Sequence, residues 1–167
     1  MAKTRTLVGT FVVVLLLLLA FAAGWIVART GMGAAVDVAD LSERERVFAE
    51  QMSGASLVGR FTVAGREDRA GTPDRYDLER VDKVGDDLWR FTARMSYGNV
   101  TTAIPFVVPV QWLGDTPMIV MTDLGIPGMG AFTVRLLFYG DRYAGTWQGS
   151  GGGGLMYGSI EAGGAGR

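Results

Sequence analysis

The 167-residue chain is predicted to be an all-β protein. One N-terminal transmembrane helix precedes an antiparallel up-and-down β-barrel or strongly curled sheet of about eight strands. Three observations lead to this prediction. Residues 7–28 form an unbroken apolar run. After residue 55, hydrophobic and polar residues alternate over many short segments, which is the period of a β-strand. Short turns containing glycine and aspartate join these segments in order, which favours pairing of each strand with the next.

The composition removes several classes of function. The chain has no cysteine and no histidine, and its net charge is −1. Without these residues there is no disulfide or thiolate site, no histidine general base, and none of the usual zinc and haem ligands. The near-zero charge offers no broad basic field for nucleic acid. We therefore expect a protein that is not an enzyme, with no cofactor, no metal and no nucleic-acid partner.

The apolar run predicts a membrane anchor. Lys3 and Arg5 precede it within residues 1–6, and acidic residues dominate the segment after it. The positive-inside rule then places the N-terminus in the cytoplasm and the rest of the chain on the periplasmic side of a bacterial inner membrane. A helix of about 22 residues spans about 33 Å, which is enough to cross a bilayer core. The anchor residues singled out are Leu7, Leu16 and Trp25.

A cleaved signal peptide is the alternative interpretation of the same run. Ala20-Phe21-Ala22 resembles a signal-peptidase site. The apolar regions of signal peptides are shorter, at about 7–15 residues, so the length of the run favours an uncleaved signal anchor. Trp25, near the outer interface of the predicted helix, favours it as well.

Residues 29–54 are interpreted as a juxtamembrane stalk. Asp40-Leu41-Ser42 is a plausible helix start. Leu41 and Phe48 follow at helical spacing, so a short amphipathic helix is predicted. It either packs on its own domain or contacts a partner or the membrane surface.

The extracytoplasmic β-domain is assigned to residues 55–162, followed by a flexible tail at residues 163–167. The segment that starts at Tyr76 is predicted to carry a bulge near Arg80. Glycines inside predicted strands allow sharp coiling or let an aromatic ring lie over the backbone; these are Gly59, Gly145 and Gly158. The aromatic residues expected to face the interior of the domain are Phe61, Trp89, Phe91, Phe132 and Trp147.

The segment 104–129 is the least explained by folding alone. It is strongly apolar, but Pro105 and Pro109 interrupt it, which predicts an edge strand or an irregular segment. Exposed apolar patches mark protein or membrane contacts. The segment is therefore either core or a docking edge for a partner. The candidate docking residues are Ile104, Phe106, Val108, Trp112, Ile126 and Met129.

Charged residues outside this segment are explained by local structure. Residues 65–74 are predicted to form a polar turn. Other aspartates also fall in predicted turns, and their spacing does not match that of a calcium-binding loop. The strand arginines are interpreted as a solvated face, with an anion or headgroup patch as the alternative. The turn aspartates are Asp86, Asp87, Asp115, Asp123 and Asp141, and the strand arginines are Arg90, Arg94, Arg135 and Arg142.

The stretches GDDLWRFTARMSYG and DRYAGTWQG carry a resemblance. Over Leu57 to Glu161 the chain resembles uncharacterised, membrane-anchored, outer-face β-domain proteins of planctomycete-type bacteria. The closing G-T-W and glycine-rich hairpin is distantly similar to lipocalins. The resemblance implies an extracytoplasmic β-domain and brings no established activity.

Two functions are therefore expected, in order of preference. The first is a non-enzymatic accessory or scaffold subunit whose periplasmic domain docks on a larger inner-membrane complex, such as a respiratory or photosynthetic assembly. The second is a lipocalin-like carrier of a small hydrophobic ligand. Bulky interior side chains argue against a hollow carrier. A carboxylate-dependent hydrolase would need two facing acids on strands, and the alternation offers none.

Overall fold

The computed structural model describes residues 34–66, 71–97, 100–126 and 130–163, and at 95–97, 100–104 and 126 it describes the backbone alone. Within these ranges the chain forms a short 3-10 helix, one α-helix and eight β-strands. Their bounds are Val38–Asp40 for the 3-10 helix, Glu43–Met52 for α1, Ser56–Phe61 for β1, Thr72–Lys83 for β2, Leu88–Tyr97 for β3, Val100–Leu113 for β4, Thr116–Ile126 for β5, Gly130–Tyr139 for β6, Arg142–Gly149 for β7 and Gly152–Glu161 for β8.

The predicted anchor with Leu7, Leu16 and Trp25 lies outside the described residues, as do residues 1–6 and 164–167. In the part of the chain that the structure describes, no helix is both long enough and apolar enough to span a bilayer.

The eight strands close into one barrel, each antiparallel to the next along the chain. β1 also pairs with β8, with Leu57 opposite Ile160, and this ladder completes the closure. The all-β, up-and-down prediction is confirmed, and the barrel is the correct alternative to a curled sheet. The predicted bulge is present as well, because the β2–β3 register shifts between Leu78 and Arg80.

The interior of the barrel is filled by every second residue of the strands. Trp89 and Phe91 are buried, while Phe61, Phe132 and Trp147 are partly buried and pack against the same core. The five predicted interior aromatics therefore all belong to the core or its immediate shell. Phe61 and Trp147 meet edge to face at 5.8 Å.

The α1 helix closes one end of the barrel. Ser42 and Glu45 form a capping box at its start, with the Ser42 amide donating to Glu45 Oε2 at 2.9 Å. Its inner face buries Phe48 and Met52, which are 3% and 0% exposed. Of the two roles considered for this helix, packing on its own domain is the one observed.

Side chains of α1 hold it to the hairpins at this end. The Lys83 ammonium contacts Glu45 Oε1 at 2.6 Å. Burial alone would raise the pKa of the Glu45 carboxyl, but the hydrogen bonds from Lys83 and Ser42 outweigh it and lower that pKa to about 2. Arg44 Nη1 donates to the carbonyl of Gly114, and Gln51 Nε2 donates to the carbonyl of Gly140.

The predicted role of the strand glycines is confirmed. Tyr143 lies against Gly59 and Gly158, where a Cβ would come within 2.3 Å of its hydroxyl and 2.8 Å of its ring, and backbone carbonyl oxygens are closer still at 2.2 Å. At Gly145 the crowding comes from backbone alone and no ring is among the nearest atoms, because a Cβ there would lie 1.8 Å from the carbonyl oxygen of Arg135. These positions need glycine because the wall of the barrel is crowded, since none of the three has a positive φ.

Candidate functional site

The wall of the barrel is incomplete between β4 and β5. β4 pairs with β3 without a register shift, from Pro109 opposite Leu88 to Val100 opposite Tyr97. It pairs with β5 only over the four residues Val110 to Leu113. Among the described residues, no strand pairs with residues 101–109 of β4 on the side that faces β5. We call this stretch the β4 edge.

The two prolines explain where the ladder stops. The Val110 amide donates to the Asp87 carbonyl on the β3 side. Successive residues of an antiparallel strand turn their backbone groups to alternate sides, so the odd-numbered residues of β4 face β5. Pro105 and Pro109 are odd-numbered and have no N–H to donate. The next bond of the β4–β5 ladder would need the Pro109 amide, and the ladder ends there.

On the other side of the gap, β5 bends away from its regular path. Its register with β6 shifts between Met121 and Leu124, and Asp123 has a φ of 49°. Arg135 covers this bulge, with Nη1 donating to the Met121 carbonyl at 2.6 Å and Nη2 to Thr122 Oγ1 at 2.9 Å. The bulge has its own internal partners, whereas the β4 edge presents backbone groups that no β5 residue meets.

Of the six side chains predicted to dock a partner, the three that the structure describes point inward. Val108 is fully buried. Phe106 stacks on Phe91 at 5.5 Å, and Trp112 packs edge to face on Phe48 at 5.8 Å. These three belong to the core, which was the alternative role of the segment. For Ile104 and Ile126 the structure describes only the backbone, and Met129 lies outside the described residues.

The prediction that Pro105 and Pro109 interrupt this segment is wrong. β4 is a regular strand along its whole length, because both prolines turn their missing donors away from β3. The predicted edge character is real, but it belongs to the backbone of β4 and not to an irregular apolar surface.

A buried acid lies inside the barrel wall. Asp74 was predicted to end a polar turn, but it is the third residue of β2, inside the wall and 5% exposed. The Tyr143 hydroxyl donates to Asp74 Oδ1 at 3.5 Å, and Oδ2 has no partner among the described residues. Burial raises the pKa of Asp74, although hydrogen bonds from Tyr76 and Tyr143 act in the opposite direction.

This burial sets the sign of a pH dependence. A carboxyl whose pKa is higher in the folded than in the unfolded chain stabilises the fold most below the unfolded pKa, and that contribution is lost as the pH rises. Asp74→Asn removes the titration. The free energy of unfolding of this variant, relative to wild type, is expected to improve between pH 3 and pH 7 by an amount on the order of 1 kcal/mol. Urea unfolding at both pH values measures it.

Asp77→Asn is the matched control on the same strand. Asp77 accepts from Ser56 and Arg75, which lower its pKa. Its contribution is present above the unfolded pKa and is lost on acidification, so this variant should worsen relative to wild type as the pH rises. If both variants shift in the same direction, Asp74 does not titrate as a buried acid.

The strand arginines are engaged locally. Arg90 contacts Asp82 at 3.3 Å and Arg94 contacts Glu79 at 3.2 Å. Arg142 contacts Asp141 at 3.4 Å in the β6–β7 turn. Within the described ranges, no group of three or more acidic side chains is arranged to hold a metal ion.

The fold and these features define a class: a closed, eight-stranded up-and-down barrel with a helix plugging one end, lipocalin-like in general shape only. Comparisons with protein-family models, with curated proteins and with solved structures find no match. The resemblance to planctomycete-type β-domain proteins stays a prediction.

Proposed function

We propose that the protein is a non-enzymatic, membrane-anchored accessory subunit whose barrel docks on a larger protein through the β4 edge. The observation that supports this most directly is the unpaired stretch at residues 101–109. Exposed strand edges are usually shortened, charged or covered, because they template pairing with another chain. Here a long apolar edge is kept open beside a bulge that has its own partners.

The backbone pattern defines the chemistry of the partner. The carbonyls of the odd-numbered residues from Thr101 to Pro109 all face the gap, but only Thr101, Ala103 and Val107 supply an N–H there. The edge therefore accepts more hydrogen bonds than it donates. An extended segment that adds as a strand and donates its amides to these carbonyls fits it.

The sequence supports the rest of the proposal. Residues 7–28 would anchor the chain in a bacterial inner membrane, with residues 1–6 in the cytoplasm and the barrel in the periplasm. The host would then be an integral-membrane assembly, with a respiratory or photosynthetic complex as one kind of host. The barrel itself would contribute structure and no cofactor.

The carrier alternative has less support. Trp89, Phe91 and Tyr143 are among the largest fully buried side chains, and they occupy the interior where a ligand would have to sit. Surface hollows near Glu50 and Gly140, and near Arg60 and Tyr157, lie outside the barrel. A carrier would need to expel core side chains to bind.

The test uses the full chain in its native membrane, solubilised gently and sized on a native gel. Val107→Pro removes one edge N–H and leaves the β3 ladder intact, because Val107 turns its backbone away from β3. Losing about one hydrogen bond should lower the share that migrates with a large assembly about fivefold. Val107→Thr keeps the N–H and is the control.

The native gel distinguishes docking at the β4 edge from its alternatives. Loss of Val107→Pro from the assembly, with retention of Val107→Thr and unchanged thermal midpoints for both, supports docking at the β4 edge. Equal retention of both variants means that the edge is not used. A wild-type chain that migrates as a monomer, or as a dimer of itself, overturns the accessory-subunit proposal.

A further inference from the structure

Three exposed apolar side chains lie at the helix end of the barrel. Tyr139 is 74% exposed, Leu113 is 72% exposed and Val47 is 48% exposed. Leu113 ends β4 and Tyr139 ends β6, each immediately before a Gly-Asp turn. None of the three is needed for the core, so folding alone does not explain why large apolar residues occupy these positions.

The helix joins these residues into one surface. Arg44 reaches the turn after Leu113 through the Gly114 carbonyl at 3.1 Å, and Gln51 reaches the turn after Tyr139 through the Gly140 carbonyl at 2.9 Å. Residues 44, 47 and 51 share one face of a helix, and seven residues rise about 10 Å. Val47 therefore lies between the two turns. We call Val47, Leu113 and Tyr139 the helix-end patch.

The surroundings of this patch are acidic. Two basic residues flank the three hairpin turns at this end, and each is paired with an acid, Lys83 with Glu45 and Arg142 with Asp141. The turns themselves contain no lysine or arginine, and the segment before α1 adds two acids. The acids at the helix end are Asp37, Asp40, Asp86, Asp87, Asp115 and Asp141.

The basic residues of α1 do not cancel this charge. Arg46 is paired with both Glu43 and Glu50. Arg44 lies 4.9 Å over the Trp112 ring and donates to the Gly114 carbonyl. Arg44 keeps its charge beside these neutral partners, but α1 contains three glutamates and only two arginines, so the helix adds no net positive charge to the acidic turns.

We infer that the helix-end patch docks the basic surface of a protein. Apolar residues surrounded by charged ones have the anatomy of a protein interface, and complementary charge speeds and orients such association. A bilayer is the less favourable occupant, because anionic lipids repel an acidic face. This surface is separate from the β4 edge, and it does not depend on strand addition.

The experiment places the photo-crosslinking residue p-benzoylphenylalanine at position 113 or 139 of the full chain in its native membrane. Position 155 is the control, because Leu155 is 52% exposed on β8. We expect protein adducts from 113 and 139 and none from 155. The attached peptides should be rich in lysine and arginine.

Charge variants test the recognition itself. Asp115→Lys combined with Asp141→Lys should reduce the adduct about tenfold at low salt, and Asp115→Asn combined with Asp141→Asn should give an intermediate loss. Both losses should shrink at about 0.5 M salt, where screening is strong. Lipid adducts, adducts with the chain itself, acidic or neutral attached peptides, or adducts unchanged by charge reversal would each overturn the inference. The Val107→Pro variant should leave these adducts in place, so the two proposals can fail independently.

Discussion

Phe48→Ala is expected to lower the free energy of unfolding by about 3–5 kcal/mol. Phe48 is 3% exposed, and its ring lies 5.3 Å from Trp89, 5.8 Å from Trp112 and 5.9 Å from Phe138. Alanine would remove the centre of this aromatic cluster, and the strands around it cannot collapse into the space because each is held by its ladder to a neighbouring strand. Urea unfolding followed by tryptophan fluorescence would report the stability and the combined environment of the tryptophans, of which Trp89 and Trp112 contact Phe48.

Val47→Ala is the matched control, one residue away on the outer face of the same helix. Val47 is about half exposed, so its truncation should change stability by no more than about 0.5 kcal/mol. A loss below about 1 kcal/mol for Phe48→Ala would show that α1 is a detachable element and not the plug of the barrel. The helix-end patch would then lack a fixed geometry, since α1 is what joins its members.

The sequence predicted the strands and their inward faces well, because alternation is a local property. Trp89 and Phe91 share a face through their spacing alone. Closure was not predictable in the same way. It rests on the pairing of Leu57 with Ile160, about a hundred residues apart, and alternation says which face a residue occupies but not which strand it meets.

Asp74 shows how a local signal can mislead. It ends a run of charged and turn-forming residues, so turn chemistry was the simpler explanation. Asp74, Tyr76 and Leu78 also share the two-residue period of the inward face of β2, and this is the signal that could have found it. The neighbouring Thr72 and Pro73 hid where the strand begins, because element boundaries are weakly encoded by composition.

The sequence indicated that β4 is an edge strand, but it did not show that the backbone, and not the side chains, forms the open surface. Pro105 and Pro109 correctly indicated an edge, because a residue without an N–H cannot continue a ladder. Which side of β4 they leave open depends on the direction of the Val110 amide, and only the fold shows that direction. From the sequence alone the apolar side chains of the segment could therefore belong either to the core or to a docking surface, and the fold shows that Val108 is fully buried.

Gly145→Ala is expected to destabilise the protein by about 3 kcal/mol or more. The added Cβ would lie 1.8 Å from the Arg135 carbonyl oxygen, which belongs to the backbone of β6, so a strand would have to move. Gly145 faces Leu136 in the β6–β7 ladder, and Arg135 also holds the β5 bulge through Met121 and Thr122. Thermal and urea unfolding would measure the loss.

Gly125→Ala separates this steric effect from the general effect of adding a methyl group to a strand. Gly125 pairs with β6 from the opposite side, and a Cβ there meets nothing within 4 Å. Its replacement should leave stability within about 0.5 kcal/mol. If Gly145→Ala also leaves the free energy of unfolding unchanged, the backbones of β6 and β7 must be further apart at this position than the 1.8 Å contact implies.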